Sequence, residues 1–204
     1  MGGKQDKTAR FLQLYRNTAR SLVELARNIQ KEFAHCRFQP AAFELEIGDK
    51  GAVQPITLPL SDGCSVKLIG EIDRVDSYQK DGKTYIRVVD YKSGAGRTFD
   101  LSEIYYGLNL QMLLYLFSLW EQGKAKFGET VPAGVLYLPA GGAFGSFGIT
   151  KREGDAEDAA KEIQKGFRMN GLLLQDEEIL NAMEPVSYTH LALSDPCNPT
   201  SLSR

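Results

Sequence analysis

The sequence predicts an α/β domain with a mixed central β-sheet flanked by helices. Two β-runs, residues 64–78 and 84–93, are separated by a short polar turn and would form the middle of the sheet. A long amphipathic segment at 7–34 precedes them, and a strongly apolar segment at 101–122 follows. Period-two strands that alternate with segments of helical period are typical of domains in which helices cover a sheet.

The first helix is predicted from apolar residues that recur at helical spacing, with arginine and lysine on the opposite side. Those residues are Phe11, Leu14, Tyr15, Leu22, Leu25, Ala26, Ile29 and Phe33. Pro40 ends any helix at that point, and residues 41–48 then predict a strand. A short edge strand is predicted at 56–60, because Pro59 would interrupt a central strand.

The apolar segment at 101–122 predicts a second long helix. Asp100 and Glu103 resemble a capping box at its start, and Gly123 is a typical stop signal. Because the segment is apolar almost all round, we expect it to be buried against the sheet, next to the hairpin.

The rest of the chain predicts a buried strand at 131–140, a helix at about 155–169 and a short helix at 176–183. The glycine-rich stretch at 141–148 predicts a surface loop, since it lacks the lysine of a phosphate-binding loop. Residues 186–204 lack periodicity and are rich in Ser, Thr and Pro. They resemble a translated read-through tail, and we predict that they are disordered and not native sequence.

Composition and charge are those of a globular domain with an uneven charge distribution. The chain has 43% hydrophobic and 25% charged residues, and its net charge is −2. We predict an N-terminal helical segment at residues 1–37, followed by a core at 38–185. The N-terminal segment holds eight Lys or Arg and three Asp or Glu. A basic arm permits nucleic-acid binding, although an ordinary solvated helix face would look the same.

Three widely spaced cysteines, without a CxxC pair, argue against a disulfide framework or a zinc site. The longest strongly apolar run, residues 112–117, is far too short to span a bilayer. The charged N-terminal stretch has no apolar region typical of a secretion signal. These features predict a cytoplasmic location.

The predicted hairpin brings together the residues with the clearest chemistry. The Asp-Gly pair at 81–82 is a strong signal for a two-residue type I′ turn. With that turn, Asp73 faces Asp90 and Glu71 faces Lys92 across the two strands. Directly opposed carboxylates repel each other, so a shared proton or a divalent cation must hold them together.

These residues are sufficient for metal-dependent hydrolysis of a phosphodiester. Mg²⁺ takes one or two carboxylates, such as Asp73 and Asp90, and keeps its other positions for water and substrate phosphate. Lys92, on the same face as Asp90, would place an ammonium group beside a metal-bound water or a phosphate. The alternative is a hairpin with solvated ion pairs, Glu71 with Lys92 among them, and the spacing alone does not separate the two.

Two polar residues on the predicted apolar helix also need an explanation. Gln111 and Tyr115 lie four residues apart and therefore share one helix face. A buried amide and phenol require hydrogen-bond partners, and a phosphate or a catalytic carboxylate would be suitable. The alternative is that Gln111 bonds a neighbouring backbone carbonyl.

Three motifs, in this order, resemble those of a known nuclease family. The chain reads G-E-I-D-R-V-D at 70–76, D-Y-K-S at 90–93 and Q-M-L-L-Y at 111–115. They resemble the three consecutive nuclease motifs of the RecB-like branch of the PD-(D/E)xK superfamily, as in the nuclease domains of bacterial AddAB-type helicase–nucleases. The stretch R-F-Q-P-A-A-F-E-L-E-I-G at 37–48 resembles the family's upstream segment. The resemblance covers residues 1–185.

This resemblance implies roles for individual residues. Asp73 and Asp90 would be Mg²⁺ ligands, with Glu44 near the metal. Lys92 would lie beside the attacking water. The residue spacing alone does not favour Glu44 over Glu46.

The resemblance also implies that Gln111 and Tyr115 support the site and contact DNA. The implied activity is Mg²⁺-dependent exonuclease cleavage of single-stranded DNA ends at double-strand breaks, with a helicase–nuclease A subunit as partner. Two alternatives remain: a stand-alone RecB-like exonuclease, and a catalytically silent domain that grips DNA or acts as a scaffold.

The sequence departs from the family pattern in three ways. The family's upstream active-site histidine is not visible, since we expect His35 to be a structural or surface residue and His190 lies in the tail. The cysteines of the family's iron–sulfur cluster are missing, so we expect no cluster in this chain. There is no GxxxxGK[ST] loop, so ATP-driven unwinding would belong elsewhere, and we expect the chain to be a fragment of a longer subunit.

Overall fold

The computed structural model describes residues 8–92, 99–140 and 166–183, and the backbone of 189–192. In chain order, the strands are β1 (Gln39–Ile47), β2 (Ile56–Pro59), β3 (Ser65–Leu68), β4 (Gly70–Lys80), β5 (Lys83–Lys92), β6 (Thr130–Pro139), β7 (Asn170–Leu173) and β8 (Thr189–Ala192). The helices are α1 (Ala9–His35), α2 (Leu101–Tyr105), α3 (Gln111–Gln122), α4 (Lys124–Phe127) and α5 (Glu177–Met183).

A mixed six-stranded sheet forms the centre of the domain, as predicted. Its strand order is β1-β4-β5-β6-β7-β8, and β2 and β3 form a separate two-stranded sheet. Strand β5 pairs antiparallel with β4 and parallel with β6. The two strands that carry the first two motifs, β4 and β5, are therefore central strands, each paired with a neighbouring strand on both sides.

The β4–β5 hairpin has the register that its turn predicts. Asp81 and Gly82 have φ angles of 50° and 75°, as a type I′ turn requires. The Cα partners run from Lys80 opposite Lys83 to Arg74 opposite Val89. The ladder ends at this last pair, one residue before Asp73.

Helices cover both faces of the sheet. On one face, α3 packs against β4, β5 and β6 in a core that includes Val75, Val88, Met112, Leu119 and Val135. On the other face, α1 and α5 contribute to a second core that includes Ile29, Val89, Leu136, Ile179 and Met183. The alternation of Val88 and Val89 between the two cores follows from the period of two in a strand.

Helix α1 is placed differently from the prediction. Thr8 caps the helix by accepting the Phe11 N–H. Five residues of the predicted apolar stripe are exposed instead of buried: Phe11, Leu14, Tyr15, Leu22 and Ala26. The buried residues of this helix are Ser21 and Glu32. The helix thus turns a partly polar face to the sheet, and Glu32 is held there by two arginines described below.

The predicted helix at 101–122 is divided into α2 and α3. Gly107 and Asn109, between them, have φ angles of 78° and 53° and interrupt the helix, because this left-handed region is outside helical geometry. Asp100 caps α2 as predicted, accepting the Ser102 N–H. The helix is also less buried than its composition predicts. Its outer side exposes Leu114, Phe117 and Trp120.

Two short strands were not predicted. Strand β7 pairs antiparallel with β6, and β8 pairs parallel with β7. The prediction of disorder over 186–204 is therefore wrong at 189–192, where pairing satisfies the backbone groups of the β7 edge. The predicted loop at 141–148 and all but the end of the predicted helix at 155–169 lie outside the described residues. In the described part of the chain, no helix is long and apolar enough to cross a membrane.

Candidate active site

Asp73 lies where the β4–β5 ladder ends. Its Oδ2 accepts the backbone N–H of Tyr91 at 2.8 Å, which uses one of its two carboxylate oxygens. The backbones of Asp73 and Asp90 are not paired, contrary to the simplest continuation of the register. The carboxylate of Asp73 nevertheless contacts the residue between Asp90 and Lys92, so the first two motifs meet at this point.

Asp90 and Lys92 form an ion pair on β5. Lys92 Nζ lies 2.6 Å from Asp90 Oδ2 and 5.3 Å from the centre of the Tyr137 ring. Apart from this ion pair, the buried Asp90 Oδ2 has no hydrogen-bond partner among the described residues. Lys92 thus pairs with its own strand neighbour and not with Glu71, whose Cα partner is Glu46 on β1.

Glu44 is in a strained backbone conformation beside Asp73. Its φ angle is 47°, which is uncommon for a residue other than glycine. Its neighbours in β1 pair with the residues on either side of Asp73, which places Glu44 across from Asp73. Ala42 and Leu45 are both part of the same core, although residues three apart in a regular strand point to opposite faces. The irregular backbone at Glu44 lies between these two residues, and such strain is concentrated at functional sites.

Glu46 occupies a different position from Glu44. Together with Glu71 and Lys50, it lines an open cavity of about 550 Å³ at the end of β1. Asp73, Asp90 and Lys92 do not line this cavity. The structure therefore separates the two glutamates that the sequence could not distinguish, and only Glu44 lies across from Asp73.

The carboxylates present fit a hard divalent cation. In the described residues, no group of three or more His, Cys, Asp or Glu is close enough to hold a metal ion together, so Glu44 does not complete a set with Asp73 and Asp90. Two carboxylates are sufficient for Mg²⁺, which keeps several positions for water and phosphate. The buried Oδ2 of Asp90, which has no partner among the described residues besides the Lys92 ammonium, is the observation that best fits such a ligand.

Gln111 and Tyr115 bond to each other. Gln111, at the start of α3, donates from Nε2 to Tyr115 Oη at 2.9 Å. The ring of Tyr115 is buried and lies against Gly70, the first residue of the G-E-I-D-R-V-D motif. A side chain at Gly70 would bring its Cβ within 2.5 Å of Tyr115 Oη. The contact explains why the first motif begins with glycine, and it joins the first and third motifs.

We expect Gly70→Ala to destabilise the domain by about 1–3 kcal/mol, because the added methyl group forces Tyr115 out of its position. The free energy of unfolding in urea measures this effect. Gly48→Ala is the matched control, since its Cβ would come no closer than 3.6 Å to any neighbouring atom. Equal stability of Gly70→Ala and Gly48→Ala would contradict the close packing of Tyr115 on Gly70.

A buried network of four charged residues lies on the opposite face of the hairpin, and it was not predicted from the sequence. Glu32 of α1 lies 2.5 Å from Arg87 and 3.3 Å from Arg74. Asp76 lies 2.9 Å from Arg87 and 3.0 Å from Arg74. The side chains of the two arginines are fully buried. The only signal in the sequence was charged residues at alternate positions of two otherwise apolar β-runs.

The four charges compensate each other. Burial lowers the pKa of Arg74, but the carboxylates of Asp76 and Glu32 outweigh this effect, so its pKa is raised above the usual value. Arg74 therefore stays charged, and the network of two arginines and two carboxylates is neutral as a whole. Arg74 also donates from Nη1 to the hydroxyl of Tyr91 at 3.2 Å.

Comparison with known proteins agrees with the motifs and with their arrangement. The family model of the PD-(D/E)XK nuclease superfamily matches residues 3–187. The chain belongs to this superfamily of nucleases, whose members generally use divalent metal ions.

Several relatives that the chain matches are named as B subunits of an ATP-dependent helicase/deoxyribonuclease. The chain is 39% identical over 180 residues to the B subunit from Acetivibrio thermocellus, covering 87% of this chain and 15% of that protein. It is 42% identical over 157 residues to the protein of the same name in Clostridium tetani, covering 76% of this chain and 13% of the relative. The chain is 38% identical over 184 residues to the Clostridium novyi protein, covering 90% of this chain and 16% of that protein. The chain thus spans about 15% of the length of such relatives.

Proposed function

We propose that this chain is a Mg²⁺-dependent deoxyribonuclease domain that hydrolyses phosphodiester bonds. The observation that carries the proposal is the meeting of Asp73, Asp90 and Lys92 at the end of one hairpin, where the buried Oδ2 of Asp90 contacts Lys92 and has no other partner among the described residues. Membership of a nuclease superfamily supports the same chemistry.

Each residue has a distinct role in this proposal. Asp73 and Asp90 would hold Mg²⁺, which when bound supplies an activated water and neutralises charge on the phosphate. Lys92 is held 2.6 Å from Asp90, so its ammonium group can orient the attacking water and stabilise negative charge as the phosphorus–oxygen bond breaks. Glu44, which lies across from Asp73, would act near the metal by binding a metal-bound water. Gln111 and Tyr115 would support the site and contact DNA, with the phenol held by the amide.

The likeness to these relatives extends the proposal to a larger machine. We propose that the domain belongs to a helicase–nuclease and cleaves single-stranded ends at DNA double-strand breaks for recombinational repair, with an A subunit as partner. The exposed basic residues of α1, Arg10, Arg16 and Lys31, would attract the DNA backbone. The expected compartment is the cytoplasm.

Two other functions make different predictions. A stand-alone exonuclease would have the same site and would act without a partner subunit. A silent DNA-gripping domain would bind DNA in a salt-dependent manner but would be indifferent to chelators. The carboxylates of Asp73 and Asp90 beside Lys92 favour an enzyme, because a binding surface for DNA gains nothing from carboxylates.

Removal of the metal tests the proposed function. We expect the chain to cleave a labelled single-stranded oligonucleotide in Mg²⁺, and EDTA to abolish cleavage, because the two aspartates alone cannot activate water. Excess Mg²⁺ added after EDTA should restore the activity. A folded chain that binds the oligonucleotide equally well in Mg²⁺ and EDTA, and cuts it in neither, would establish the gripping domain instead.

A further inference from the structure

The positions of Asp73 and Asp90 relative to each other depend on contacts other than the sheet ladder. Backbone pairing between β4 and β5 ends at Arg74 and Val89. Beyond that pair, two side chains of β4 reach β5, and both contact Tyr91. Asp73 Oδ2 accepts the Tyr91 N–H at 2.8 Å, and Arg74 Nη1 donates to the Tyr91 hydroxyl at 3.2 Å.

We infer that Arg74 and Tyr91 are positioning residues that hold Asp73 at its working distance from Asp90 and Lys92. The inference rests on the proposed function, since it assigns a role toward the metal that the two aspartates would bind. Tyr91 lies between Asp90 and Lys92 in the chain, and Arg74 follows Asp73 directly. A shift of either residue therefore moves a proposed ligand with it.

The buried network keeps Arg74 in a single position. Its guanidinium lies between Glu32 and Asp76 and 5.0 Å from the centre of the Phe33 ring. In another rotamer, the Arg74 guanidinium would lose its two carboxylates without gaining contact with water. A change of rotamer would therefore be costly in free energy. The position of Tyr91 is thus tied through Arg74 to helix α1, on the face of the sheet away from the proposed metal.

The hydroxyl of Tyr91 contributes to this arrangement without touching the site itself. Groups behind metal ligands typically change metal affinity or activity by about 10–100-fold when they are removed, because the ligands lose their orientation. Tyr91→Phe removes only the hydroxyl and keeps the ring and the backbone N–H that Asp73 accepts. Arg74 keeps Glu32 and Asp76, so we expect the variant to fold.

Tyr85→Phe is the matched control. Tyr85 lies on the same strand and packs partly buried in the same core as Tyr91. Its hydroxyl makes no hydrogen bond among the described residues, so the two variants lose the same atom in similar surroundings. Mn²⁺ binding, followed as the loss of the electron paramagnetic resonance signal of the free ion, reports on the ligands without requiring catalysis. Urea unfolding of each variant shows whether its stability has changed.

We expect Tyr91→Phe to weaken Mn²⁺ binding by about tenfold and to raise the Mg²⁺ concentration needed for cleavage by a similar factor. Tyr85→Phe should match the wild type in both measurements. Wild-type Mn²⁺ affinity in Tyr91→Phe would overturn the inference and leave the proposed nuclease intact. A wild-type chain that neither binds Mn²⁺ nor cuts DNA would overturn the proposed function, and the inference with it.

Discussion

Asp90→Asn is expected to abolish DNA cleavage while the chain stays folded. The amide keeps the shape of the side chain but loses the negative charge that a divalent cation requires. A metal ion contributes several kcal/mol to the transition state, and the loss of about 4 kcal/mol corresponds to about a thousandfold in rate. Cleavage of a labelled single-stranded oligonucleotide in Mg²⁺ measures this loss.

The stability of the Asp90→Asn variant should change little. The substitution breaks the ion pair with Lys92, whose side chain is 27% exposed and can be hydrated. Partly exposed pairs contribute about 0–1 kcal/mol to the free energy of unfolding. Asp81→Asn is the control, since it makes the same chemical change at the opposite end of the same hairpin, where asparagine is equally suited to positive φ. Normal cleavage by Asp90→Asn would rule out Asp90 as a metal ligand.

The parts of the fold set by local sequence could be predicted. The Asp-Gly turn determines the register of the hairpin, because a two-residue loop leaves only one pairing of the two strands. The predicted pairs from Lys80–Lys83 to Val75–Val88 are confirmed. Asp73 and Asp90 were predicted to approach each other for the same reason, and their role as metal ligands stays a prediction.

Features that depend on distant parts of the chain could not be predicted. The positive φ of Glu44 is invisible in the sequence, since neither glycine nor asparagine marks the position. The contact of Glu32 with Arg74 joins residues 42 positions apart. An amphipathic pattern assigns a glutamate to the solvent side of a helix, so the pattern did not predict that Glu32 is buried. The predicted stripe of α1 packs against the sheet at Leu25 and Ile29, whereas its N-terminal part is exposed. The break after α2 was also missed, because an Asn with positive φ carries no signal as strong as proline.

The two faces of the β4–β5 hairpin carry different kinds of charge. On the face covered by α3, Asp90 pairs with Lys92, whose side chain is partly exposed, as a reactive site requires. On the other face, two arginines and two carboxylates are buried and their charges compensate each other. Charges that bind a substrate must be accessible to it, whereas charges that only hold elements together can be fully buried once they are paired.

Arg87→Met is expected to destabilise the domain by about 3–5 kcal/mol, the usual cost of removing one partner from a buried ion pair. Glu32 and Asp76 would then share Arg74 alone, and the network would carry an uncompensated buried negative charge. Methionine has nearly the length of the arginine stem and keeps its apolar packing, but it loses the guanidinium that lies over the Phe38 ring, so the loss reflects charge more than packing. The free energy of unfolding in urea measures the effect.

Arg27→Met makes the same chemical change in an exposed ion pair. Arg27 lies 2.5 Å from Glu24 on α1, and its side chain is 63% exposed. Exposed pairs of this kind contribute about 0–1 kcal/mol, so this variant should remain close to the wild type. Because the two arginine–carboxylate distances are both 2.5 Å, the difference between the variants reports on burial and on the second carboxylate, Asp76, that Arg87 contacts. Equal stabilities would show that the Arg87 network is hydrated in solution, and α1 would then not be anchored to the sheet by Glu32.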